Sequence, residues 1–186
     1  MAELPGGTVT FLFTDIEGST TRWEHQPDAM GVALARHDGL LRVAIREHDG
    51  HVVKTMGDAF HAVFARATDA VAAAVDAQRR LQGEPWGEIG PIRVRMALHT
   101  GAAEERDGDY YGPPLNRAAR LMSAGHGGQI LLSQPTYELV RDTPPDGVTF
   151  ADLGEHRFKD LIRPERVLRS VRRRTSVSIA LGATPP

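Results

Sequence analysis

Two carboxylates in this sequence stand where stability alone would not put them. Asp15 closes an apolar run in FLFTDIEGST, residues 11–20, and Asp58 closes the turn inside HVVKTMGDAFHAVF, residues 51–64. An acidic side chain at the end of a buried strand is costly, because desolvating an unpaired charge is unfavourable. Two such groups that converge make a site for a hard cation. Lys54 precedes the same turn, and Asp109, Asn116 and Arg120 follow in DYYGPPLNRAAR. Asn116 and Arg120 are four apart, so a helix there projects both from one face, offset from its apolar stripe. Singly, these residues read as a strand-end cap, a turn residue, a solvated lysine, a loop residue and an exposed helix face. As a set they place six polar groups at strand ends, a turn and one helix face.

The elements that position them follow from periodicity. Residues 8–14 read as a central strand, with Val9, Phe11 and Phe13 on one face and Leu12 on the other. Ser19 or Thr20 is placed to cap a short helix through Trp23. Pro27 opens a long helix to about Glu47, which Asp49-Gly50 stops. Residues 51–55 and 59–64 form a hairpin with Gly57 in the turn. An Ala/Val-rich helix over 68–81 is suited to close packing on a sheet. Residues 93–99 alternate, with Val94, Met96 and Leu98 inward and Arg93, Arg95 and His99 on a wet face. Residues 101–109 form a polar excursion. A helix then runs from Pro113-Pro114 to about Ser123, with Leu115, Ala118, Ala119 and Met122 as its buried stripe. A short strand at 129–132, a helix at 133–140 and late strands at 148–158 and 166–171 complete the reading. The order β-α-β-β-α-β with further C-terminal α and β elements predicts an α+β domain of ferredoxin-like type over residues 1–171. The basic, then Ser/Ala/Pro-rich, tail at 172–186 reads as a linker or frayed end.

Composition narrows the function classes. The 186 residues are 41% hydrophobic and 25% charged, with net charge −2 and no cysteine. That is a soluble globular composition with no nucleic-acid footprint, no disulfide framework and no thiolate metal site. No apolar run approaches the roughly 20 residues that span a bilayer. The N-terminus lacks signal-peptide features, so a cytoplasmic location is expected. There is no P-loop. The eight histidines form no zinc pattern such as HExxH and are read as surface or structural; His37 and His61 interrupt apolar patterns without an assigned role.

At this point the sequence closely resembles the catalytic domain of class III adenylate/guanylate cyclases, most of all short bacterial, notably actinobacterial, members. FTDIEGST, KTMGDAF, HTGAAEERDGDYYGPPLNRAARL and GGQILLS match family blocks in the family's order, and Asp15 and Asp58 are 43 positions apart, as the family pattern has them. The resemblance covers roughly residues 7–171. It implies that Asp15, Asp58 and the backbone carbonyl of Ile16 bind two Mg²⁺ or Mn²⁺ ions. It implies that Lys54 and Asp109 read adenine, Asn116 orients the ribose and Arg120 meets the α-phosphate. Gly18, Ser19 and Thr20 are expected to offer backbone N–H groups to phosphate, and Lys159 in HRFKDL to bind the triphosphate, although Asp160 follows it where the family often has glycine.

The expected activity is therefore adenylate cyclase: ATP to 3′,5′-cyclic AMP and pyrophosphate, in a homodimer whose two sites are shared between chains. Adenine offers an acceptor at N1 and a donor at N6, matching a lysine and a carboxylate. Guanine presents the opposite pattern. Guanylate cyclase is the nearest alternative, and guanine-reading members tend to carry Glu and a small or polar residue at these positions. A weakly active nucleotide-binding or dimerisation module is the second alternative, opposed by the intact Asp15, Asp58, Asn116 and Arg120. The absence of a GGDEF-like block disfavours a diguanylate cyclase.

Overall fold

Residues 4–172 are described by the structure, a computed structural model. β1 (Gly7–Ile16) is followed by two helices, α1 (Ser19–His25) and α2 (Pro27–Glu47). The hairpin β2 (His51–Met56) and β3 (Ala59–Phe64) leads into α3 (Ala67–Gly83) and β4 (Val94–Arg106). β5 (Asp109–Tyr111), α4 (Pro113–Ala124), β6 (Ile130–Ser133), α5 (Gln134–Val140), β7 (Val148–His156) and β8 (Glu165–Arg172) follow among the described residues. The sheet runs β2-β3-β1-β4-β6-β8-β7, with β5 paired to β4. Its first four strands are antiparallel and have the ferredoxin-like order, because the crossover from β1 to β2 leaves room for β3 between them. From residue 173 onward, the tail expected at 172–186 lies outside the described residues.

β1 is buried on both faces, as its double apolar pattern requires. Leu12 and Ile16 join the α2 and α3 side chains in one core, whereas Val9, Phe11 and Phe13 join Tyr110 and Ala118 in a second, under α4. Each buried Leu or Phe contributes about 1.5–3 kcal/mol. Ala70, Ala73, Ala74 and Ala77 bring α3 close to the sheet.

Two expectations change. β4 has no wet face near its middle: Ala97, Leu98, His99 and Thr100 are all buried, because α4 covers the side expected to meet solvent. The polar excursion at 101–109 is instead β4 continuing to Arg106 and folding back as β5 through Asp107-Gly108. Both turn residues have positive φ, 56° and 79°, the signature of a tight hairpin turn whose twist matches its strands. Glu104, Glu105 and Arg106 are exposed because this ladder projects beyond the core.

Candidate active site

Register places the first half of the site. β1 and β4 set Asp15 opposite Arg95, and Arg95 Nε donates to Asp15 Oδ2 at 2.9 Å. One residue further, the Ile16 N–H donates to Asp58 Oδ2 at 3.0 Å. Both carboxylates are thus held at one end of β1, the second by a turn that Gly57 closes at φ 61°. Among the described residues no three His, Asp or Glu side chains converge on a metal position. Asp15, Asp58 and the Ile16 carbonyl form a purely hard oxygen donor set, which fits Mg²⁺ or Mn²⁺.

Gly18, at φ 70°, turns the chain into α1 and is itself the N-cap, with no side-chain cap. The cap expected from Ser19 or Thr20 is therefore not made; both lie in the first turn, where amide N–H groups have no intrahelical acceptor. Beside them the Glu17 carboxylate accepts the Gly127 N–H at 3.1 Å. A Cβ at Gly127 would lie 2.5 Å from Arg93 Cβ, so only glycine permits that approach.

The β4–β5 hairpin positions the second half. Tyr110 anchors it, buried edge-on against Phe11 at 5.3 Å with its hydroxyl donating to the Pro5 carbonyl. The neighbouring Asp109 then meets Lys54, with Nζ 2.7 Å from Oδ2. That lysine contact, aided by the Tyr110 N–H at 2.7 Å and opposed by burial, holds the Asp109 carboxyl below the usual range. The Lys54 and Asp109 side chains are 36% and 30% exposed, and so open a pair is worth at most about 1 kcal/mol. It can open to admit a ligand.

α4 carries Asn116 and Arg120. Its first turn sits directly on β4, where a Cβ on Gly101 would come 2.8 Å from Pro114 Cγ. Asn116 lines an open cleft of about 390 Å³ with Arg117, Asp160, Leu161, Arg163 and Glu165. Arg120 pairs with the Asp160 carboxylate, and Asp160 adopts the left-handed backbone, φ 66°. Lys159 is exposed and does not line this cleft. His99 lies beneath the helix, buried, with Nδ1 2.7 Å from Ser133 Oγ. Burial, and secondarily the Arg117 charge, push it down to about 4.

The chain thus brings Ile16 to Asp58 and Lys54 to Asp109. Among the described residues, no hydrogen bond or ion pair links the Asp15/Asp58 group to Lys54, Asp109, Asn116 or Arg120. Arg95, Asp160 and His61 were not read from the sequence as neighbours of these groups. Arg95 had one signal, its place beside Arg93 in an alternating strand; which residue it opposes depends on register.

Comparison with known proteins identifies the family of the chain and its fold. The family model of the adenylate and guanylate cyclase catalytic domain matches residues 2–165. An uncharacterised protein of Mycobacterium tuberculosis is 43% identical over 166 residues, covering 88% of this chain and 56% of that protein. The chain therefore spans just over half the length of that relative. An adenylate cyclase of Lachancea kluyveri is 36% identical over 155 residues, 69% of this chain and 8% of that protein. A solved structure of adenylate cyclases from Trypanosoma brucei in their monomeric state superposes with a TM-score of 0.81 at 26% identity, covering 94% of this chain and 92% of that one. No helix among the described residues is long and apolar enough to cross a membrane. The chain belongs to the adenylate and guanylate cyclase catalytic-domain family.

Proposed function

We propose that this chain is an adenylate cyclase domain, converting ATP to 3′,5′-cyclic AMP and pyrophosphate. The observation that carries the reading is the Lys54–Asp109 pair. A cationic donor and a carboxylate acceptor stand side by side, the complement of adenine N1 and N6. Guanine would leave both groups unpaired, a discrimination on the order of 10⁴.

The 3′-oxygen attacks the α-phosphorus in line and pyrophosphate leaves. Asn116 orients the ribose. Arg120, released from Asp160, meets charge building on the α-phosphate, an effect realised in the transition state rather than in binding. The amides of Gly18, Ser19 and Thr20 face phosphate oxygens, and Lys159 adds a cation for the triphosphate. Asp15, Asp58 and the Ile16 carbonyl would hold two Mg²⁺ or Mn²⁺ ions. Bound there, the ions would supply Lewis acidity, which lowers the pKa of a hydroxyl and offsets the charge of a leaving pyrophosphate.

The site is completed by a second copy of the chain: Asp15 and Asp58 of one protomer face Lys54, Asp109, Asn116 and Arg120 of the other. What supports this is that, among the described residues, no hydrogen bond or ion pair joins the two groups.

The test is turnover of Mn²⁺-ATP against Mn²⁺-GTP by the purified protein over a range of concentrations. Cyclic AMP as main product, with specific activity rising with concentration, is expected. Cyclic GMP as main product would remove the base-reading role of Lys54 and Asp109. Specific activity independent of concentration down to the lowest level assayed would count against the shared site.

A further inference from the structure

His61 is a polar residue on the α4 side of the sheet that the catalytic reading leaves unused. Strand register puts it directly across from Lys54 on β2 and from Phe13 on β1. Its ring lies flat on Phe13, with centroids 3.6 Å apart and planes 3° from parallel. The ring position is therefore fixed. Nδ1 is buried without a hydrogen-bond partner. Nε2 makes no hydrogen bond among the described residues either, and the residue as a whole is only partly buried.

Burial first, then the Lys54 charge, push the ring down to about 4, with Asp109 opposing. At neutral pH it is uncharged, with one N–H and one lone pair. A buried orphan N–H is rarer and costlier than a buried orphan acceptor. The favoured tautomer thus keeps its bare lone pair at Nδ1 and its proton at Nε2. A fixed N–H donor then stands beside the Lys54–Asp109 pair.

If those two residues take N1 and N6, the acceptors left on the ring are N3 and N7. We propose that His61 is a third base-contacting residue, donating Nε2–H to N3 or N7 of the purine. This inference rests on the base reading assigned above to Lys54 and Asp109. It also separates two kinds of recognition. Guanine has the same N3 and N7 acceptors, so His61 contributes affinity for purines as a class, and Lys54 with Asp109 choose between the purines.

The experiment is calorimetric binding of 3′-deoxy-ATP, which lacks the attacking hydroxyl, and of its 3-deaza and 7-deaza counterparts to the full chain. The wild-type protein is expected to bind one deaza analogue roughly tenfold more weakly, the usual effect of one hydrogen bond. His61→Phe keeps the ring on Phe13 and removes the donor. It should bind 3′-deoxy-ATP about as weakly as the wild type binds the sensitive analogue, be indifferent to the deaza change, and keep its ratio of ATP to GTP affinity. Equal wild-type affinity for all three nucleotides overturns the proposal without needing any variant. So does His61→Phe binding 3′-deoxy-ATP as tightly as wild type. Lys54→Glu, measured alongside, separates the two readings. If it shifts the ATP-to-GTP ratio while His61→Phe and the deaza analogues are silent, only the His61 assignment falls. If it leaves the ratio unchanged, the base reading falls and the His61 assignment falls with it.

Discussion

The two faces of the sheet are built on different terms. Under α2 and α3, Leu12, Phe60, Phe64, Met96 and Leu98 meet small and branched helix side chains in one apolar core. Its buried polar groups are few: His37, wholly buried with Nδ1 on Asp38, Gln78, whose Nε2 donates to the Val94 carbonyl, and the threonines Thr10 and Thr14 among them. Under α4, Phe11, Phe13, Tyr110 and Ala118 share their side with Asp15, Arg95, Lys54, His61 and His99. Several of these polar groups have one in-chain side-chain partner: Asp15 with Arg95, Lys54 with Asp109, His99 with Ser133. Both faces bury apolar side chains, but only the second sets a cluster of ionisable side chains among them. Substitutions on the two faces should fail in different ways.

The sharpest break is Asp58→Ala. It should lower cyclic AMP formation on the order of a thousandfold or more, while the melting temperature moves by a few degrees at most. A collapse in melting temperature would make Asp58 a fold residue. On the other face, Phe64→Ala should cost about 3–5 kcal/mol in urea unfolding and leave KM for ATP unchanged in the protein that remains folded. A changed KM at intact stability would erase the distinction between the faces.

Acid should act through the histidines. His99 is held at about 4 in the fold, against an ordinary 6.5. The unfolded chain therefore binds the extra proton first, and stability falls as pH drops from about 6.5 towards 4. On the order of 2–3 kcal/mol is lost from His99 between pH 7 and 4. His61 and His37, also lowered by burial, add in the same direction. Urea titrations at both pH values, with His99→Asn expected to flatten the difference, check this. The smallest effect expected is at Asp160. Asp160→Asn frees Arg120 and removes a negative charge from the site proposed for the nucleotide, so KM for ATP should fall by about two- to fivefold, the scale of an exposed ion pair. An unchanged KM would mean that the Arg120–Asp160 contact does not restrain catalysis.

Much of the scaffold was legible in periodicity. The double apolar face of β1, the length of α2 from Pro27 to the stop at Asp49-Gly50 and the turn at Gly57 are local properties, and local chemistry reports them. What failed was non-local. Residues 93–99 alternate as a half-wet strand should, yet His99 is buried, because nothing inside that segment says that α4 will lie over it. Residues 101–109 carry charge enough to read as loop, although Asp107-Gly108 was a hairpin signal overlooked there. The contact between Lys54 and Asp109 spans 55 positions, and only register and the β4–β5 hairpin bring them together. Arg95 and Asp160 as partners of Asp15 and Arg120 are of the same kind: residue type was visible, adjacency was not.

The seat of α4 on Gly101 has a mechanical consequence. With Pro114 pressed onto a residue that has no side chain, the helix has no cushion to slide on, and its start moves only when β4 moves. Asn116 and Arg120 are thus rigidly geared to the strand that also carries Arg95 and His99. Arg120 is also held from outside that strand, by the Asp160 carboxylate, and any residue larger than glycine at 101 would jam the gear rather than retune it.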